Sequence, residues 1–186
     1  WTVPADRPEQ LTLTVDRKIY VPGAVAHVRI QTPIEGTLQL TLETDQVVHQ
    51  TVMETIGKSM DLEVPLPDTL RGSFFLVATV VREVDPASED WTPHRAMGAL
   101  QVMVDNSIRH LPVKMTLPSK AEPGDRVTCT VETSAPGDPN HPPYVHVWAV
   151  DEGILLAANY QMPDPFQYFL GPRVLGVQTA DTFYQL

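Results

Sequence analysis

The chain has 186 residues, 42% of them hydrophobic, and its 13 Lys+Arg against 23 Asp+Glu leave a net charge of −10. That acidity repels polyanions and leaves no basic stripe to neutralise phosphates, which argues against nucleic acid as a partner. The longest apolar runs are strand-length, short of the roughly 20 residues of a membrane-spanning helix, and a lone cysteine, Cys129, excludes an internal disulfide and any multi-cysteine metal site.

The chain does not open on Met, and no basic region followed by an apolar stretch stands at its N-terminus. We expect a piece of a longer protein, on whose targeting these residues are silent. Eighteen prolines, and no convincing run of apolar residues at helical spacing, predict β-structure. In chain order, strands are expected at "LTLTV" (11–15), "VAHVRI" (25–30), "TLQLTLE" (37–43) and "VVHQTVME" (47–54). Further strands are expected at "MDLEVPL" (60–66), "FFLVATVV" (74–81) and "GALQVMVD" (98–105). Seven short alternating strands in about 100 residues, punctuated by Pro, Gly and Asp, match an immunoglobulin-like or fibronectin-like sandwich. We therefore place a first domain at residues 1–106. "WTPHRAMG", from Trp91, is expected to plug one end of it, an aromatic binding loop being the alternative.

Residues 107–186 are expected to begin a second copy. "PGAVAHVRIQT" from Pro22 aligns without a gap on "PGDRVTCTVET" from Pro123, setting Ala26, Val28 and Ile30 on Val127, Cys129 and Val131. On that face Cys129 should be a buried, inert thiol, since nothing cationic flanks it to stabilise a thiolate. "LQLTLETDQVV" from Leu38 then matches "VHVWAVDEGIL" from Val145, with the extra residues in the "SAPGDPNHPP" loop.

The alignment sets Asp151, Glu152 and Gly153 in the turn of a hairpin, with the Gly free to take positive φ and the Asp side chain bonding nearby amides. A catalytic carboxylate pair is the rival. Adjacent strand residues point to opposite faces, however, so Asp151 and Glu152 do not converge on one bond.

After Leu156 the repeat fails, so the second domain is expected to be incomplete. The segment containing Pro163, Asp164, Pro165, Phe166, Tyr168, Phe169, Gly171, Leu175 and Gly176 is too apolar to be left in water. It is also too rich in Pro and Gly for a long helix or strand, so a loop or short helical turn packed on a sheet is expected. No HExxH, GxSxG or phosphate loop is present, and the six histidines lack metal-ligand spacing. We expect no catalytic residue, no cofactor and no metal, hence not an enzyme.

"VDRKIYVPGAVAHVRI" is similar to the opening of macroglobulin-like domains. "WAVDEGILLAANYQMPDPFQYFLGPRVLGVQTADTFYQL" resembles closely the segment of bacterial alpha-2-macroglobulins that leads into the bait region. The resemblance implies tandem macroglobulin-like antiparallel β-sandwiches, the second incomplete, taken from a broad-spectrum peptidase trap. In such traps an exposed bait segment interrupts one domain, and its cleavage releases a stored rearrangement. Residues 163–176 would then be bait-proximal, and the missing strands would return after the bait.

As partners the resemblance implies the remaining domains of the parent chain, target peptidases through the bait and, further afield, a peptidoglycan synthase of the penicillin-binding class. As location it implies the periplasm or cell envelope, with a lipoprotein anchor through the parent's N-terminus. Two features depart from the pattern: Tyr184 stands where relatives usually carry Gly, and no Cys-x-Glu-Gln thioester motif occurs. The rivals are spacer or adhesin modules, and a carbohydrate-binding module using Trp91, Tyr144 and Tyr160.

Overall fold

The computed structural model describes residues 9–83, 93–122, 124–133 and 142–180. They fall into two compact units, one comprising Trp1–Asn106 with Phe166–Leu186, the other Ser107–Pro165. The stretch expected to form one second domain, 107–186, is thus divided, because residues from Phe166 onward associate with the first unit.

Unit 1 contains two sheets. β1 (Thr12–Val15), β3 (Val25–Gln31) and β6 (Ser59–Pro65) form the smaller, in the order β1-β3-β6. The larger is built from β2 (Ile19–Tyr20), β4 (Thr37–Glu43), β5 (Val47–Glu54), β7 (Ser73–Val81) and β8 (Arg95–Val104), in the order β2-β8-β7-β4-β5. All seven expected strands form, within a few residues at their ends. β2, only two residues long, carries no period to detect and went unforeseen. It pairs parallel with β8, Ile19 opposite Met103 and Tyr20 opposite Val104, so the sandwich is not purely antiparallel.

Alternation builds the core. β3 buries Ala26, Val28 and Ile30 while exposing Val25, His27 and Arg29, and β4 buries Leu38, Leu40 and Leu42 from the facing sheet. Phe74, Leu76, Ala78 and Val80 of β7 fill the same cluster. The chain entering β1 ties the two sheets together. Leu11 donates its amide to Met97 O at 3.0 Å and Met97 donates to Glu9 O at 2.9 Å, after which residues 12–15 pair with β3. A Cβ on Gly98 would lie 2.2 Å from Leu11 O, so only glycine permits that approach.

Unit 2 is sparser. β9 (Val113–Thr116) and β10 (Thr130–Thr133) form an antiparallel ribbon, followed by helix α1 (Glu152–Ala157). The expected strand through 145–150 is not assigned. Cys129 is exposed rather than buried, since the ribbon has no facing sheet among the described residues of the unit. Trp91 and Tyr184 lie outside the described residues.

Candidate functional site

The expected turn at Asp151-Glu152-Gly153 is the start of α1, not a hairpin. Asp151 is its N-cap, with extended backbone and a side chain that accepts from the Ile154 amide at 3.2 Å. The residues that follow, "EGILLA", contain no proline and no run of β-branched side chains, so one capped turn suffices to propagate helix. The helix closes as cleanly as it opens. Asn159, at φ 46°, donates to Leu156 O at 3.2 Å, and Tyr160 donates to Leu155 O at 3.0 Å, the bond pattern of a Schellman stop. The Asp151 carboxylate is thus engaged as a helix cap. Tyr144 and Tyr160 are both exposed, 84% and 52%.

The bait-proximal residues take two forms. Pro163 and Asp164 precede α2 (Pro165–Leu170), where Pro165 occupies the first helical position, the one that tolerates a missing amide hydrogen. Within α2, Phe166 is half-buried while Tyr168 and Phe169 are exposed, their rings edge-to-face at 5.0 Å and 88°. Gly171 ends the helix, its amide bonded to Gln167 O at 2.9 Å. Leu175 and Gly176 lie in the extended stretch beyond.

That stretch is fastened to the larger sheet of unit 1. Arg173 donates its amide to Ser73 Oγ at 2.9 Å, and Gln101 Nε2 donates to Arg173 O at 2.8 Å and to Ser73 Oγ at 3.1 Å. Asn106 Nδ2 reaches Leu170 O at 3.4 Å, and Gly176 donates to Thr44 O at 3.3 Å. Gly72, at φ +68°, stands so close that a Cβ there would come within 2.6 Å of Gly171 O. Beside Gly176, the Thr44 hydroxyl holds the Asp45 carboxyl below its usual range, with the Arg173 charge adding to the effect.

Ser73, Gln101, Asn106 and Thr44 were not foreseen as site residues. Their partners lie far away in sequence, 64 positions for Asn106 and 100 for Ser73, and no local pattern marks them. The arrangement is a short strap held against the interior strands of the larger sheet by a handful of hydrogen bonds, each worth about 1 kcal/mol net.

A family profile described as the alpha-2-macroglobulin bait region domain matches residues 11–157. The chain belongs to that family. Among relatives, this bait region domain is 30% identical over 185 residues to alpha-2-macroglobulin of Escherichia coli (strain K12), covering 98% of this chain and 11% of that one. It is 28% identical over 175 residues to the alpha-2-macroglobulin homolog of Yersinia pestis, covering 94% of this chain and 8% of that protein. In structure it resembles the native conformation of the E. coli protein solved by cryo-EM, with a TM-score of 0.55 at 26% identity, over 95% of this chain and 12% of that one. The chain therefore spans about a tenth of the length of the relatives it matches. The strap at 170–176 lies beyond the profile match, on the C-terminal side of a bait region domain.

Proposed function

We propose that this chain is the structural frame beside the bait segment of an alpha-2-macroglobulin-like peptidase trap, and that it carries no inhibitory or catalytic residue of its own. The observation that carries the reading is the fastening of 170–176 to unit 1 through Ser73, Gln101 and Thr44. A frame must grip one end of an exposed segment so that cutting the segment changes the load on a folded domain. The hydrogen-bonded strap supplies such a grip, and the family supplies the context.

The partners proposed are the remaining domains of the parent and the peptidases that cut its bait. A periplasmic or cell-envelope location, with a lipoprotein anchor, is proposed on family resemblance and is tested by fractionation of cells. No observation supports a peptidoglycan synthase as partner, and it forms no part of the proposal.

The test is limited proteolysis of the intact parent protein with several unrelated peptidases, the first cuts mapped by mass spectrometry. First cuts by every enzyme within one short window C-terminal to the strap are expected. Cuts scattered among interdomain linkers would leave the chain a spacer.

A further inference from the structure

Glu43 ends β4 on the sheet face turned away from the core, since Leu42 before it is a core residue and strand neighbours alternate. It is nevertheless only 3% exposed. Oε1 accepts the Thr41 hydroxyl, but Oε2 is buried with no hydrogen-bond partner. Across the sheet Glu43 pairs with Phe75, and Phe75 with Gln101.

The strap passes directly beside this row. Arg173 is bonded to Ser73 and Gln101, and Gly176, three residues on, is bonded to Thr44, the residue after Glu43. At the other end of the strap, Asn106 offers Nδ2 to Leu170 O while its own Oδ1 is buried without a partner.

We infer that Glu43 is a release element under the strap: a buried carboxylate that opposes docking of residues 170–176 and keeps it reversible. A carboxylate oxygen shut away from water with nothing donating to it costs its full desolvation. Lifting the strap admits water to Oε2 and recovers that cost, so the acid lowers the free energy of the undocked state relative to the docked one. The hydrogen bonds to Ser73, Gln101 and Thr44 act in the opposite direction. These two contributions oppose each other, so the strap stays seated yet remains releasable when its far end is disturbed. This reading deepens the proposed frame function but concerns docking on the chain's own sheet, so it holds whether or not peptidases are the target.

The variant Glu43→Met keeps the side chain's length and removes both oxygens, while the Thr41 hydroxyl retains Val77 O as an acceptor at 3.3 Å. The readout is hydrogen exchange of the Arg173 and Gly176 amides in the full chain, without peptidase, with the Leu40 and Leu76 amides as internal reference for the core. Exchange at Arg173 and Gly176 should slow about tenfold while the reference amides stay as protected as before. Unchanged or faster exchange at both strap amides, with the core intact, would overturn the inference. Should the Glu43→Met change loosen the core amides as well, Glu43→Gln decides. It removes the charge and keeps the shape, and it should slow strap exchange by a smaller factor; exchange equal to the parent chain's sinks the idea. Because no peptidase is present, this outcome is separate from that of the proteolysis experiment.

Discussion

Tyr20 is 1% exposed, and its hydroxyl donates to Asp16 while accepting from the Arg17 amide at 3.3 Å. Burial, reinforced by the Asp16 carboxylate, pushes the phenol up to about 12 from an ordinary 10.0. The same bond holds the Asp16 carboxyl below its usual range. The fold thus grips the phenolic proton more tightly than the unfolded chain does. The associated stability is complete below pH 10.0 and is lost as pH rises toward about 12, because the unfolded chain ionises first. We expect the urea midpoint of unit 1 to fall across that window, and to fall less in Tyr20→Phe. An equal decline in both would show that Tyr20 is not the group responsible. None of this was readable beforehand, since "VDRKIY" names the residues but not the burial that couples them.

Among elements, β3 and β4 were legible because their sequences alternate apolar and polar residues, and β7 because its apolar run is of strand length; both are properties of consecutive residues. α1 was misread for the same reason. Alignment to the first copy carried a strand-turn-strand pattern onto "VDEGIL", although Asp followed by a proline-free apolar run is equally a helix start. The cap makes a specific prediction. Asp151→Ala should cost α1 about 1 kcal/mol, and Asp151→Asn only a few tenths, because the amide oxygen also caps. Exchange rates of the Leu155 and Ala158 amides, which close the helix, measure this. Equal loss in both variants would mean that the carboxylate's charge, rather than its acceptor geometry, matters at the cap. The strap fastenings form the opposite case. Ser73, Gln101 and Asn106 are ordinary polar residues in strands or at their ends, and only the path of a segment many residues away gives them a role.

At the scale of the whole molecule the two units differ in kind. Every buried hydrophobic residue described belongs to unit 1, while β9 is exposed throughout and β10 only half-buried in alternation. A ribbon of two strands without a packed face is marginal in water. Unit 2 should therefore open at lower urea than unit 1, and Cys129 should react with a thiol reagent in native buffer at a rate close to that in denaturant. Protection of Cys129 by orders of magnitude would contradict its exposure.

By itself the sequence determined the all-β class, the seven principal strands of unit 1 and their core faces, because apolar patterning is carried by neighbouring residues. It also carried the family resemblance, through "VDRKIYVPGAVAHVRI" and the run from Trp148. Only the tertiary structure decided that residues from Phe166 onward belong with the first unit, that Cys129 is exposed, and that Glu43 lies buried. Each of these depends on which distant segment covers a face, and that is settled by competition among long-range contacts that no local pattern records.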